Sequence, residues 1–99
     1  MNKYRAVKSG GYHSKREHRR ADELRMMEKL GLISELREQV KYELIPKCGE
    51  ERTCSWIADF VYRENGEEVV EDCKGYRTDV YKIKKKIFQY RYGIKIRET

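Results

Sequence analysis

The chain has 99 residues, of which 40% are charged and 38% are hydrophobic, and its 23 lysines and arginines exceed its 17 acidic residues for a net charge of +6. A chain of this length forms one small domain, and no apolar run reaches the roughly 18 residues of a membrane helix. The first ten residues are basic and lack the apolar stretch of a signal peptide, so we expect neither a membrane nor a secretory protein. The excess of positive charge favours an anionic partner, and nucleic acid is the first candidate.

The cysteines indicate a reducing compartment. Cys48, Cys54 and Cys73 are odd in number, and no CxxC pair is present. We therefore expect free thiols in the cytoplasm, and a zinc site that includes His13 and His18 is disfavoured because no pair has zinc-knuckle spacing.

The first ordered element is predicted to be a helix. Residues 1–13 are basic and carry almost nothing apolar, which predicts a flexible arm. Ser14 and Glu17 have the spacing of a capping box, in which each residue satisfies a backbone amide of the other. A helix from about Lys15 to Leu30 follows, with Gly31 in the position of a left-handed C-terminal residue.

Three strands are predicted next. Apolar residues alternate with polar ones over 39–44 until Pro46, which indicates the first strand. Residues 54–62 are rich in aromatic and β-branched side chains, and Asn65-Gly66 is a strong signal for a hairpin turn. We therefore expect a second strand over 54–62 and a third strand over 67–74.

The last quarter of the chain predicts a crossover. Thr78 or Asp79 can cap a helix that Gly93 ends, and 94–97 alternate as a short strand. A strand, a helix and a strand in this order predict a parallel strand pair. The fold class is therefore α/β, with one mixed sheet and the order α-β-β-β-α-β. The residues expected to form the apolar face of this helix are Val80, Ile83, Ile87 and Phe88, and those expected in the core and at its rim are Tyr76, Tyr81, Tyr90 and Tyr92.

The hairpin register brings two acids together. If Asn65 and Gly66 are the two turn residues, Asp59 and Asp72 lie directly opposite each other on one sheet face. Lys74 lies two residues further along, on the same face and opposite Ile57. Two carboxylates beside an ammonium group suit Mg²⁺ or Mn²⁺, which prefer oxygen ligands and keep waters for substrate phosphate. Glu71 alternates to the opposite face, where we expect it to support the site or face solvent.

These residues carry a resemblance to a known family. Asp59, twelve intervening residues and then Asp72-Cys73-Lys74 resemble the core motif of the PD-(D/E)xK nuclease superfamily. The order α-β-β-β-α-β also resembles that superfamily's restriction-endonuclease-like core. Over residues 12–97 the chain is similar to a family of small phage and prophage proteins assigned to these nucleases, although Ala58 replaces the motif's proline and Asp72 the commoner glutamate.

The resemblance implies roles for individual residues. Asp59 and Asp72 would bind the metal, Lys74 would help to deprotonate water or stabilise phosphate charge, and Glu17 would add a ligand or position a water. The basic residues expected to contact DNA are Lys15, Arg16, Arg19, Lys82, Lys85 and Lys86. Structural alternatives are a capping role for Glu17, an ordinary ion pair between Asp72 and Lys74, and a solvated face for the lysines around Lys85.

The expected function is a metal-dependent endodeoxyribonuclease of phage or mobile-element origin, acting in the cytoplasm of a bacterial host and needing no small-molecule cofactor. A homodimer that cuts both strands is expected, and branched DNA of the kind formed in recombination is a reasonable substrate. The alternatives are a catalytically inactive DNA-binding or protein-interaction module on the same fold, and a nuclease directed at RNA.

Overall fold

The predicted order of helices and strands is confirmed. In the computed structural model, which describes residues 14–74 and 76–99, two helices and four strands form an α/β domain with the order α-β-β-β-α-β. The helices are α1 (Lys15–Lys29) and α2 (Asp79–Tyr92), and the strands are β1 (Ser34–Ile45), β2 (Cys54–Glu64), β3 (Glu67–Asp72) and β4 (Arg97–Glu98). The predicted arm of residues 1–13 lies outside the described residues.

The strands form a mixed four-stranded sheet in the order β1-β2-β3-β4. β1, β2 and β3 pair antiparallel, while β3 and β4 are parallel because α2 returns the chain to the end at which β3 began. The expected mixed sheet, with its parallel pair at one edge, is therefore confirmed.

Both helices begin and end at the residues that the sequence indicated. The Ser14 hydroxyl accepts a hydrogen bond from the Glu17 amide at 3.1 Å, and the Thr78 hydroxyl accepts one from the Tyr81 amide at 3.1 Å. Each bond satisfies a backbone donor that the first helical turn leaves open. α2 ends at Gly93, whose φ of +69° is the left-handed conformation in which glycine ends a helix at little cost.

The two helices cover opposite faces of the sheet. α1 packs through Ala21 and Leu24 in a cluster that contains Phe60, whereas α2 packs in a second cluster that contains Val61. Because consecutive residues of a strand point to opposite faces, the sheet lies between the helices. The hydrophobic core is thus two thin layers, one on each side of β2 and β3.

β2 changes the face that it presents at Asp59. Trp56 and Ala58 pack in the α2 cluster while Phe60 packs in the α1 cluster, although strict alternation places all three on one face. Gln39 in the neighbouring strand has φ +54°, a left-handed conformation that residues other than glycine rarely adopt. The departure from regular strand geometry thus involves β1 at Gln39 and β2 at Asp59, and Asp59 is one of the predicted metal ligands.

The expected apolar face of α2 is only partly confirmed, since Phe88 is buried and Ile87 packs partly buried against the core. Tyr81 and Phe88, seven residues apart, are the buried residues of this helix, whereas Val80 is 63% and Ile83 58% exposed. The larger aromatic side chains fill the space over the sheet, which turns the aliphatic positions outward. Tyr76 and Tyr90 are also exposed, at 80% and 91%, so their expected place in the core or rim is wrong.

Candidate functional site

The hairpin register is the predicted one. The pairs run from Glu64 opposite Glu67 to Phe60 opposite Glu71, and Asp59 and Asp72 are the next residues in this register. β3 ends at Asp72, two residues earlier than expected, so Lys74 does not pair with Ile57. The strand ends there because the Cys73 amide donates to the Asp59 carboxylate at 2.8 Å and so leaves the ladder.

Asp72 is a buried carboxylate without a hydrogen bond. Asp72 is 0% exposed, and neither of its carboxylate oxygens has a hydrogen-bond partner among the described residues. Burial, and after it the nearby Asp59 carboxylate, raise its pKa to about 7, although Lys74 opposes both effects. The buried negative charge is therefore costly unless a proton or a cation neutralises it.

Asp59 is held in place by two donors. One carboxylate oxygen accepts the Cys73 amide, and the other accepts the side-chain amide of Gln39 at 3.3 Å. The carboxylate is therefore fixed between β1 and the end of β3, beside the buried acid of Asp72. This position explains why Asp59 raises the pKa of Asp72.

Gln39 joins the helix to the hairpin acids. The same amide that donates to Asp59 also donates to the Glu17 carboxylate at 3.0 Å. Glu17 is 4% exposed and lies on the sheet-facing side of α1 with Ala21 and Leu24, as its helical spacing indicated. Sequence reasoning missed Gln39, because a polar residue in an alternating strand carries no signal that distinguishes it from its solvent-facing neighbours.

Lys74 stands beside Asp72 despite the shorter strand. Its ammonium nitrogen lies 3.5 Å from Asp72 Oδ2 and 5.2 Å from the centre of the Tyr81 ring. The ring face favours a cation at this distance, and the Tyr81 hydroxyl donates to Glu98 at 2.8 Å, which holds the ring in place. The lysine is thus positioned by its carboxylate partner and by an aromatic wall.

The donor set fits a hard divalent cation held by two carboxylates. Among residues 14–74 and 76–99, no group of three or more His, Cys, Asp or Glu side chains is arranged to hold a metal ion. The Asp72 carboxylate oxygens nevertheless lack hydrogen bonds and lie beside Asp59. Two carboxylates suffice for Mg²⁺, because this ion commonly binds through one or two carboxylates and keeps several waters. All three cysteines are free thiols, as expected.

Glu71 supports the opposite face of the hairpin and is fully buried, so its expected alternative of facing solvent is wrong. The Arg20 guanidinium donates to both of its oxygens, and the Tyr62 hydroxyl donates to it at 2.6 Å. Burial raises the pKa of Glu71, but the hydrogen bonds from Arg20, Tyr62 and Thr99 outweigh it and hold the pKa below its ordinary value. This acid is neutralised within the fold, in contrast to Asp72.

A basic cavity adjoins the acidic pair. The cavity has a volume of about 170 Å³ and is lined by Arg16, Arg19, Arg20, Glu23, Cys73 and Thr99. Cys73 also donates its backbone amide to the Asp59 carboxylate at 2.8 Å, so the cavity and the acidic hairpin share this residue. Arg20 is engaged by Glu71, whereas neither Arg16 nor Arg19 forms an ion pair with any residue that the structure describes. Two guanidinium groups are therefore available for an anion.

The predicted basic residues of α2 are not equivalent. Lys82 and Lys86 are exposed, whereas Lys85 pairs with Glu98 at 3.2 Å, an acid that Arg77 also contacts at 3.1 Å. The charge of Lys85 is therefore partly compensated within the fold. On α1, Lys15 is exposed.

The fold and the site define an α/β domain with a carboxylate pair and a lysine at the end of one hairpin. The chain belongs to the family described as protein of unknown function DUF1064, which matches residues 1–98. No curated protein and no solved structure matches the chain. Within the described residues, neither helix is long and apolar enough to cross a membrane.

Proposed function

We propose that this protein is a metal-dependent endonuclease that hydrolyses DNA phosphodiester bonds. The observation that carries the proposal is the Asp72 carboxylate, which is buried, lacks a hydrogen bond within the described chain, and lies beside Asp59 and Lys74. A buried polar group without a hydrogen bond is costly to the fold, and such groups are common where a protein binds a ligand.

Each residue of the site has a definite task in this proposal. Asp59 and Asp72 hold Mg²⁺ or Mn²⁺, and the bound cation supplies Lewis acidity toward phosphate oxygen and acidifies water. The Lys74 ammonium stabilises the negative charge that develops on the phosphate or takes part in proton transfer from water. Gln39 fixes the orientation of Asp59, and Glu17 anchors that amide from α1.

Arg16 and Arg19 are the residues best placed to hold the DNA backbone near the acids. Their cavity shares Cys73 with the acidic hairpin, and arginine suits phosphate because its planar group donates two parallel hydrogen bonds. Lys15 adds an exposed cation on α1, Lys82 and Lys86 add exposed cations on α2 across the sheet, and the net charge of +6 favours approach to any polyanion.

A non-catalytic DNA-binding or protein-interaction module on the same fold is the second candidate. The observation in its favour is that the described residues bring two acids together at the hairpin and show no cluster of three metal-ligating side chains. The two candidates differ in what a metal ion does to the protein and to bound DNA.

Cleavage assays with the wild-type protein and Asp72→Asn distinguish the candidates. Labelled linear duplex, single-stranded and four-way-junction DNA, and an RNA of matching sequence, are incubated in Mg²⁺, in Mn²⁺ and in EDTA. We expect wild-type protein to cut in metal only, and Asp72→Asn to cut at least ~100-fold more slowly while it binds DNA as well or better, because a negative charge is removed. The preferred substrate identifies the nucleic acid class.

Asp22→Asn is the matched control, since Asp22 lies on α1 in exposed pairs with His18 and Arg25. It should cut at the wild-type rate. DNA binding without cutting in every metal, or equal cutting by Asp72→Asn, would refute the nuclease and leave the binding module.

A further inference from the structure

The outward face of α2 carries an apolar stripe that the fold does not use. Val80, Ile83 and Tyr90 are 63%, 58% and 91% exposed, and Ile87 is partly buried against the core. These four residues, here called the α2 stripe, follow one another at intervals of three, four and three. This is the spacing of the seam along which two helices pack in a coiled coil.

The α2 stripe continues onto the edge of the sheet. A groove of about 770 Å³ is lined by Leu44, Ile45, Pro46, Ile87, Tyr90 and Arg91, and Ile45 is 47% exposed. The stripe and the groove thus form one apolar surface. A surface of this kind on a small domain is typical of a protein contact, and the charge of Arg91 in its lining is already paired with Glu43.

We propose that a second copy of this chain covers the α2 stripe, with the two α2 helices packed antiparallel about a two-fold axis. The intervals of three, four and three read the same in both directions, which is the condition for a self-complementary contact. In the symmetric antiparallel pairing, Val80 meets Tyr90 of the second copy and Ile83 meets Ile87 of the second copy.

The charges beside the stripe favour this pairing over a parallel one. Asp79 and Lys86 are seven residues apart and therefore lie on the same flank of the helix. An antiparallel pair brings Asp79 near Lys86 of the second copy at both ends of the contact. A parallel pair instead turns this flank toward Lys84 and Arg91 of the second copy, which are already held within their own chain, so Asp79 and Lys86 gain no free partner of opposite charge.

The opposite flank does not oppose the contact. Lys84 donates to the Ser55 carbonyl at 2.9 Å, and Arg91 pairs with the Glu43 carboxylate at 2.9 Å. Both cations are thus held by their own chain, and the charge of Arg91 is compensated. The repulsion expected between two lysine-rich helices is reduced on this side.

Sedimentation equilibrium of the full chain between about 5 and 500 µM tests the proposal. We expect the wild type to dimerise and Ile83→Glu to raise the dissociation constant at least ~30-fold, because a buried carboxylate would meet Ile87 of the second copy. Ile57→Glu is the matched control, since Ile57 is a 49% exposed isoleucine on β2 and outside the stripe. Thermal unfolding by circular dichroism verifies that both variants fold.

A charge swap tests the antiparallel orientation. Asp79→Lys and Lys86→Asp should each weaken the dimer, and the double variant Asp79→Lys/Lys86→Asp should restore it, since the opposite charges meet again. A wild-type protein that stays monomeric at about 500 µM would overturn the proposal and leave an unrelated helix as the occupant. Equal weakening by Ile83→Glu and Ile57→Glu would overturn the stripe as the contact, and a double variant as weak as the single ones would overturn the orientation.

Discussion

Asp72 shows how one residue can couple stability to ligand binding. Its carboxylate is buried beside a second acid, and within the described chain a single ammonium, that of Lys74, compensates it at 3.5 Å. Glu71, the preceding residue, is equally buried but receives four hydrogen bonds. Neighbouring acids on one strand therefore have opposite energetics, because alternation sends one to a satisfied network and the other to an incomplete site.

Without metal, the protein should lose stability as the pH rises from 5 to 8. Burial and the Asp59 carboxylate raise the pKa of Asp72 from its ordinary value of 3.8 to about 7. Between these two pH values the folded state therefore holds a proton that the unfolded state has lost. This stabilising effect is complete below pH 3.8 and disappears as the pH passes 7. We expect the free energy of unfolding in EDTA to fall by about 2 to 3 kcal/mol over this range in urea titrations.

Asp72→Asn should remove most of this pH dependence, because the amide does not titrate. Mg²⁺ at pH 8 should stabilise the wild type and leave the variant unchanged, since the cation replaces the proton. The pKa values of Glu71 and Glu98 are lowered, so these two acids change their charge below the measured pH range and do not contribute to the slope. If the free energy of unfolding in EDTA fell equally with pH in the wild type and in Asp72→Asn, Asp72 would not be the group that causes the pH dependence.

At the scale of the elements, a buried ion pair fastens α1 to the sheet. Arg20 reaches from the helix to Glu71 of β3, 51 residues away in the chain, and Tyr62 and Thr99 complete the network from β2 and the segment after β4. Along α1, the Arg20–Glu71 ion pair lies between Leu24, which packs in the core, and Glu17, which contacts Gln39. It therefore keeps Glu17, one turn earlier on α1, in reach of Gln39.

Glu71→Gln should lower the free energy of unfolding by about 3 kcal/mol, because the Arg20 charge loses its buried partner. Glu68→Gln is a control on the same strand, since the Glu68 pair with Arg37 at 3.4 Å is exposed. We expect a change below about 0.5 kcal/mol for the control. Urea titrations at pH 7 measure both, and equal effects would show that the network contributes no more than a surface pair.

At the scale of the whole molecule, only some of the basic side chains form ion pairs within the fold. Several basic side chains are paired within the fold, such as Arg25 with Glu38 and Arg37 with Glu68, whereas Arg16 and Arg19 have no ion-pair partner among the described residues. Arg16 and Arg19 are thus two cations near the acidic hairpin whose charge no described acid compensates. A polyanion bound there would displace counterions from its own backbone.

The double variant Arg16→Gln/Arg19→Gln should weaken DNA binding and reduce the slope of log affinity against log salt concentration by about two. Arg25→Gln/Arg37→Gln removes the same charge from arginines that are already paired, and it should leave the slope nearly unchanged. Fluorescence anisotropy in EDTA at several salt concentrations measures both without cleavage. A similar reduction in both variants would show that net charge, and not the cavity, controls binding.

The sequence by itself determined the order of the elements, their caps and the hairpin register. Ser14, Thr78 and Gly93 act on the backbone within a few residues of themselves, and Asn65-Gly66 sets the register of the strands that it joins. Such signals are local, so a linear pattern contains them. That register predicted the approach of Asp59 to Asp72, although the ladder ends one pair earlier, at Phe60 opposite Glu71.

The tertiary structure decided which groups are satisfied and which are left incomplete. The bridge from Gln39 to Glu17 spans 22 residues, and it depends on the left-handed backbone at Gln39 that no residue pattern announces. The exposure of Val80 and Ile83, which were expected on the buried face, depends on the shape of the sheet surface beneath α2. Contacts of this kind depend on packing between distant segments, whose geometry is set only when the layers meet.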